Sequence, residues 1–306
     1  MNLLRRLAIA LLALALVLAA CSQGDEEVAR VGEKSIRLAD VRALYEGNAL
    51  PIDDSLRETL FRLIAADALT QALASDFGAV PDPAVADDYL QTWTATMAEN
   101  GLTPAQFLEV PGATLEMVRF NARLLALRDE AIDQVLKAPE TVDALFADPT
   151  TLTEVCAKHI LVETQEEAEA VMDRLAAGED FTAVAGEVST DTGSLGGDLG
   201  CASAGTYVEA FAQAVVAAPL NEVTGPVQTE FGYHVLVVTG RTTPSRDEYL
   251  ADPGAMLSAD DVSGLWQSWF NGVLQNTDVT VAERYGTWTP IGIKAPETGT
   301  TTTPDE

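Results

Sequence analysis

The chain of 306 residues contains two histidines, and each stands in a short apolar run. His159 lies in Ala157–Glu163 (AKHILVE) and His234 in Tyr233–Thr239 (YHVLVVT). Both runs are rich in β-branched residues and predict strands. If the two strands share a sheet, the two histidine rings can meet. Paired imidazoles fix each other's tautomers by hydrogen bonding, and a nearby carboxylate biases the tautomers further. The alternative is that each ring is an ordinary, satisfied core residue.

Other reaction chemistries find little support in the sequence. Two histidines and one aspartate could in principle bind zinc, but the short i, i+4 spacing of the common zinc sites is missing. A serine nucleophile is not indicated either, since no GxSxG motif occurs. We therefore expect no metal ion and no cofactor.

The elements that must position the histidines begin where the sequence changes character, at Val155. Periodicity predicts, in order, a strand over 157–163, helices over 165–177 and 180–189, a glycine-rich loop over 189–200, a helix over 208–218, and antiparallel strands over 223–228 and 233–239. The last two strands bend around Gly232. Strands alternating with short helices indicate a small α+β unit.

Within this segment, three motifs resemble those of parvulin-type peptidyl-prolyl cis–trans isomerases. They are Ala157–Val162, the loop Ser189–Gly200 with its Gly-Asp-Leu-Gly end, and Thr224–His234 (TGPVQTEFGYH). They occur in order across residues 155–241, under a third of the chain, and are diagnostic in combination. The resemblance implies a small parvulin domain with a mostly antiparallel four-stranded sheet surrounded by helices, within a chain of overall α+β class.

The resemblance also implies site residues. His159 and His234 match the family's paired histidines. Asp191 matches the family's position beside these histidines, and Thr229 matches the hydroxyl residue that hydrogen-bonds with them. The positions that match the apolar pocket for the proline ring are Leu199, Tyr207 and Phe211. Thr229 and Tyr207 could equally be ordinary surface or packing residues.

The implied reaction needs few charged groups. Rotation of an X–Pro bond must break amide resonance, at a barrier of about 18–20 kcal/mol. A dry apolar pocket that fits the twisted amide better than either planar form lowers that barrier without a covalent bond. The two histidines and Asp191 are expected to shape and polarise the pocket. A covalent role for Asp191 is disfavoured, because an exposed carboxylate without an activator is a poor nucleophile.

The N-terminus predicts export and a lipid anchor. Arg5 and Arg6 precede the apolar run Leu7–Leu18, which is too short to span a bilayer but fits a secretory signal. Leu18-Ala19-Ala20-Cys21 resembles the bacterial lipobox, so we expect a lipoprotein signal peptide over 1–20, lipidation of Cys21 and a tether over 21–27. The alternative is an ordinary signal peptide with a chance cysteine. The expected location is extracytoplasmic, lipid-anchored to the bacterial cell membrane.

The other two cysteines form an even pair. In an oxidising compartment, Cys156 and Cys201 can form a disulfide. The alternative is a pair of buried free thiols.

The rest of the chain predicts helices without evident chemistry. Residues 28–154 are expected to form a helical chaperone-like domain, and 242–290 a C-terminal helical segment that packs on it through Trp266 and Trp269. One apolar face is predicted along Ala113–Lys137, with Leu115 and Leu125 on it. Residues 291–306 are expected to be a disordered tail. This layout is similar to secreted foldases of the PrsA and SurA kind, whose chaperone domain is built from sequence on both sides of the parvulin insert.

The charge excludes several partners. Against 18 Lys+Arg stand 47 Asp+Glu, a net charge of −29, so nucleic acid is not expected as a partner. The acidic stretch Glu163–Glu167 stands where phosphoprotein-directed parvulins carry basic residues, so no phosphopeptide specificity is expected.

The leading hypothesis is an isomerase that assists the folding of exported polypeptides containing X–Pro bonds. The second is a holdase chaperone whose parvulin domain is structural or degenerate. A third, weaker one is an envelope-assembly adaptor with one fixed partner.

Overall fold

The computed structural model describes residues 26–44, 52–109 and 114–296. The predicted signal peptide, Cys21, most of the predicted tether and residues 297–306 lie outside the described residues. The chain divides into two compact units, a helical unit built from residues before 135 and after 263, and a second unit, Val135–Ser263. Within the described ranges, no helix is long and apolar enough to cross a membrane.

The elements follow in chain order. The strands are β1 (Glu27–Val31), β2 (Lys34–Arg37), β3 (Glu154–Val162), β4 (Asp198–Ser203), β5 (Val223–Thr229), β6 (Gly232–Thr242), β7 (Val279–Val281), β8 (Thr287–Thr289) and β9 (Gly292–Lys294). The helices are α1 (Leu38–Ala43), α2 (Asp54–Phe77), α3 (Pro83–Glu99), α4 (Pro104–Phe107), α5 (Leu115–Lys137), α6 (Pro139–Ala147), α7 (Gln165–Ala176), α8 (Phe181–Val188), α9 (Glu209–Ala217), α10 (Arg246–Ala251) and α11 (Ala259–Asn276).

The helical unit is organised around α2. The Asp53 side chain accepts a hydrogen bond from Leu56 N at 3.0 Å and caps the start of the helix, and Gly78, with φ 65°, ends it. The aromatic face of α11 packs against α2 and α5 in a core that includes Trp266, Trp269 and Phe270. The apolar face predicted for α11 is therefore buried within this unit.

Helix α5 buries part of the predicted face. Val118, Ala122 and Leu136 of that face are buried, whereas Leu115 and Leu125 are 41 % and 42 % exposed. The buried side also carries Phe120 and Leu127, which pack with Leu73 of α2. Because α5 carries large apolar residues on more than one side, its periodicity alone does not select the face that meets α2.

The second unit is built on a four-stranded antiparallel sheet of order β4-β3-β6-β5. Ile160 and Val162 pack with α7 and α8 on one face of the sheet. Val155 and Ala157 pack with Phe211 of α9 on the other face. This arrangement confirms the predicted α+β class and the predicted sheet.

The second unit extends beyond the predicted parvulin segment of 155–241. The buried hydroxyl of Tyr249 in α10 donates a hydrogen bond to Leu136 O at 3.0 Å, and its ring packs edge-on against Phe146 of α6. Arg246 also pairs with Asp143 at 2.6 Å. These contacts group residues 135–153 and 243–263 with the sheet, whereas the sequence assigned them to the helical domain.

Ordered structure also extends into the predicted tail. Strand β9 pairs with β8, and Ile293 packs against the apolar core of the helical unit. The prediction of disorder from residue 291 is therefore wrong for Gly292–Lys294, because Trp288 stacks on Phe61 at 5.5 Å and holds the hairpin on α2.

A disulfide joins β3 to β4. Cys156 and Cys201 are directly paired residues of the two strands, and their sulfurs are bonded. Strand β4 is one edge of the sheet, and its residues are exposed or half-buried. The disulfide closes a loop with a sequence separation of 45 residues.

Replacing both cysteines by serine is expected to lower the unfolding free energy of this unit by about 4 kcal/mol, because the unfolded chain regains the entropy that a closed loop of this length removes. Hydrogen exchange of β3 and β6 amides in the full chain measures the change. Tryptophan fluorescence is unsuitable, since all four tryptophans lie in the helical unit. Wild type held in a dithiol reductant should match the variant, and a loss under about 1 kcal/mol in both samples contradicts the prediction.

Candidate active site

The two histidine rings lie against each other on one face of the sheet. In the antiparallel register, His159 pairs with Leu236 and His234 with Leu161, so the histidines are diagonal neighbours on β3 and β6. Their Nδ1 atoms are 3.0 Å apart, and the rings lie side by side with centroids 5.2 Å apart and planes inclined by 21°. Both residues are about 5 % exposed, at 6 % and 5 %.

Polar side chains bind the outer nitrogen of each ring. His159 Nε2 is 2.7 Å from Asp191 Oδ2, and His234 Nε2 is 2.8 Å from Thr229 Oγ1. Thr229 Oγ1 also accepts a hydrogen bond from Phe231 N at 3.1 Å. Thr229, His234, His159 and Asp191 therefore form a continuous hydrogen-bonded chain, which we call the relay.

The loop before β4 holds Asp191 in place. Gly193 N donates to Asp191 Oδ1 at 2.9 Å, and Ser194 Oγ donates to Oδ2 at 2.7 Å. The next turn of the loop lies directly on β3, because a Cβ atom at Gly197, where φ is 76°, would stand 2.2 Å from His159 O. Only glycine allows this approach.

The relay carries one fixed charge. The hydroxyl of Ser194 and then the ring of His159 lower the pKa of Asp191 to about 2, so this carboxyl group is ionised at neutral pH. Burial, and then the neighbouring His159, lower the pKa of His234 to about 4, so its ring is neutral.

The ionised end fixes the direction of one hydrogen bond. A carboxylate only accepts, so His159 Nε2–H donates to Asp191. The two Nδ1 atoms share the hydrogen bond between the rings, and His234 Nε2 is bonded to the Thr229 hydroxyl. Every ring nitrogen of the relay therefore has a hydrogen-bond partner, which fixes the orientation of both rings.

Aromatic and aliphatic side chains cover the relay on one side. The Phe211 ring is 3 % exposed and lies edge-on to His159 and His234, with centroids 5.7 and 4.9 Å away. Tyr207 meets Phe211 edge-on at 5.1 Å, and burial raises the pKa of its phenol. Leu199 packs against the same cluster. The arrangement is an apolar cluster of Leu199, Tyr207 and Phe211 packed beside the polar relay.

The structure thus brings seven predicted residues to one place, and they are His159, Asp191, Leu199, Tyr207, Phe211, Thr229 and His234. Sequence reasoning missed Gly193 and Ser194, which position the Asp191 carboxylate. The available signal was that both residues closely follow Asp191 in a loop of small residues. Asp side chains commonly accept a hydrogen bond from the backbone N–H two residues later in the chain. In the described ranges, no group of His, Cys, Asp and Glu side chains is arranged to hold a metal ion.

This sheet, relay and pocket define a parvulin-type peptidyl-prolyl isomerase domain, and residues 153–240 match the family described as Rotamase, the PPIC-type PPIase domain. A Foldase protein PrsA of Oceanobacillus iheyensis is 31 % identical over 229 residues, covering 73 % of this chain and 71 % of that protein. The chain belongs to the PrsA foldase family. The predicted family and domain class are confirmed.

Two further relatives extend the comparison. A Foldase protein PrsA of Halalkalibacterium halodurans is 41 % identical over 120 residues, which are 38 % of this chain and 36 % of that protein, so this match spans about a third of its length. A crystal structure of peptidylprolyl isomerase (PrsA) from Bacillus cereus has a TM-score of 0.54 at 20 % identity, covering 86 % of this chain and 96 % of that chain. The fold therefore resembles that structure well beyond the isomerase domain.

Lowering the pH below 6.5 is expected to destabilise the isomerase domain. In the unfolded chain His234 has its ordinary pKa of 6.5, whereas in the folded chain its pKa is about 4. Between these values the unfolded state binds more protons, so the unfolding free energy falls with falling pH, by roughly 3 kcal/mol in total. The contribution of Asp191 to the unfolding free energy is lost only at lower pH, as the pH falls from 3.8 toward about 2.

Hydrogen exchange of β6 amides in the full chain across this pH range measures the effect. His234→Gln removes the titrating group and should flatten the profile relative to wild type. Equal slopes for the two proteins are incompatible with a depressed His234 pKa.

Proposed function

We propose that this chain catalyses cis–trans isomerisation of X–Pro bonds in exported polypeptides and so assists their folding. The observation that carries the proposal is the relay of Thr229, His234, His159 and Asp191 beside the apolar side chains of Leu199, Tyr207 and Phe211, which would form the pocket for the proline ring. No part of this arrangement needs a cofactor.

The pocket lowers the barrier by binding the twisted amide. As the X–Pro bond rotates, the amide loses resonance and its dipole decreases, so a dry apolar wall destabilises the planar forms relative to the twisted one. Phe211 and Leu199 supply this wall for the proline ring. The histidines form a floor whose shape does not change, because both rings are hydrogen-bonded at both nitrogens.

Asp191 orients the relay and takes no covalent part. Its carboxylate accepts hydrogen bonds from Gly193 N and Ser194 Oγ and bonds His159. These hydrogen bonds lower the pKa of Asp191 to about 2, so the carboxylate is a weak base and a weak nucleophile. Its role is to fix the orientation of the His159 ring, which in turn fixes that of His234.

We further propose that the protein acts outside the cytoplasm while anchored by lipid at Cys21, after removal of the signal peptide 1–20. The tether would be the segment between Cys21 and the ordered chain, which is shorter than predicted because Glu27 belongs to β1. Arg5, Arg6 and the apolar run Leu7–Leu18 before the Leu-Ala-Ala-Cys motif support this. The disulfide fits an oxidising compartment. The helical unit would supply the chaperone-like part, and the unit Val135–Ser263 the isomerase.

Replacing both histidines by alanine should lower kcat/KM on a proline tetrapeptide roughly tenfold or more, because the pocket floor is lost. A peptide isomerisation assay on the full chain measures it. Thr239→Ala is the matched control, since Thr239 lies on the same strand β6 but its hydroxyl bonds Cys156 O away from the relay. If the double variant equals wild type, or wild type equals buffer, the enzymatic proposal fails.

A holdase role for the helical unit is a second candidate. Val80 before α3 is 85 % exposed and, with Pro83 and Leu90, lines a cavity of about 520 Å³. Leu102, after the other end of α3, is 48 % exposed. Exposed apolar side chains suit transient binding of unfolded chain segments.

The two roles can be separated by variants of the full chain. If the helical unit binds unfolded clients, suppression of aggregation should persist in His159→Ala/His234→Ala and fall severalfold in Val80→Ser/Leu102→Ser, because only the latter removes exposed apolar surface. Light scattering of a denatured, aggregation-prone client measures it. The reverse pattern assigns client binding to the isomerase pocket.

A further inference from the structure

Two large apolar side chains project into solvent beside the relay, and neither belongs to the pocket. Leu195 is 90 % exposed and Phe231 is 63 % exposed. Leu195 follows Ser194, which binds Asp191 at one end of the relay. Phe231 donates its N–H to Thr229 at the other end.

The backbone around Leu195 is held against the domain. Gly196 and Gly197 follow it with φ of 64° and 76°, and Cβ atoms there would lie 2.4 Å from Thr182 Cγ2 and 2.2 Å from His159 O. The backbone directly after Leu195 therefore packs closely against the domain, while the Leu195 side chain remains exposed to solvent. The exposure of this side chain follows from a rigid turn.

Phe231 is presented in the same way. Its N–H is bound to Thr229 Oγ1 at 3.1 Å, and a Cβ atom at Gly232, where φ is 135°, would lie 2.3 Å from Val162 O. The hairpin between β5 and β6 is thus fixed on both sides of Phe231. Isolated exposed apolar residues are common, but here one stands at each end of the same hydrogen-bonded chain.

We infer that Leu195 and Phe231 bind apolar side chains that flank the prolyl residue of the substrate. The inference rests on the proposed isomerase function and names its substrate class, X–Pro segments with apolar neighbours. In this binding mode the extended substrate runs along the relay at about 3.3–3.6 Å per residue, which carries the residues before and after the bound proline toward its two ends. Rigid presentation reduces the entropy lost when they bind.

Neighbouring charges restrict the choice further. Glu230 and Asp198 are exposed, and each lies within three residues of one of the two side chains. Acidic residues next to proline are therefore disfavoured, and apolar or basic ones are accepted.

The flanking contacts should affect binding more than turnover. Side chains beside the rotating bond contact the protein equally in the planar and the twisted states, so they contribute uniform binding. Loss of Leu195 or Phe231 should therefore raise KM and leave kcat nearly unchanged. A purely structural role would instead reduce kcat on every substrate.

The test uses the full chain and three tetrapeptides that carry leucine before proline, phenylalanine after proline, or alanine at both places. Leu195→Ser and Phe231→Ser should each raise KM roughly fivefold on at least one apolar peptide and less than about twofold on the alanine peptide. Leu195→Met and Phe231→Tyr should restore it. Ile291→Ser is the matched control, since Ile291 is also 90 % exposed but lies in the helical unit.

Equal loss on all three peptides, or no loss on any, overturns the inference. Dissociation constants for the same peptides separate it from the proposed function. If wild type binds the apolar peptides more tightly than the alanine peptide, and the serine variants lose that preference, the inference stands even where no isomerisation is seen. Activity on all peptides without any such preference leaves the isomerase function and removes the inference.

Discussion

The contact between His159 and His234 depends on the register of β3 and β6. The rings meet because the two residues are diagonal neighbours on the same face of an antiparallel pair. A slip of one residue would turn one ring to the opposite face, among the side chains under α7 and α8. Phe211, Asp191 and Thr229 are all placed relative to this pair, so the strand register sets the site as a whole.

The strands and most of the site could be predicted because their signals are local. Apolar β-rich runs around His159 and His234 indicate strands, and the glycines of the following loop and hairpin mark close backbone approaches. The orientation of the Asp191 carboxylate could not be predicted from local sequence, because it depends on hydrogen bonds from Gly193 and Ser194 in the folded loop. Such contacts have no periodic pattern.

The misses have physical reasons of the same kind. Strand β4 is an edge strand whose residues are mostly exposed or half-buried, so its sequence lacks the alternation of a half-buried strand. Helix α10 does carry a start signal, because Ser245 and Glu248 form a capping box, but the segment is short and polar. For α5, packing against α2 leaves Leu115 and Leu125 exposed although Val118 and Ala122 of the same predicted face are buried, and periodicity alone does not make that distinction.

The disulfide divides the site into two topological halves. His159, Asp191 and Leu199 lie inside the covalent loop between Cys156 and Cys201, whereas Tyr207, Phe211, Thr229 and His234 lie outside it. Oxidation can constrain the first half alone, but only the long-range pairing of β6 with β3 brings in the second. A partly folded chain therefore has no complete site, and this member of a foldase family gains its pocket only once its own folding is finished.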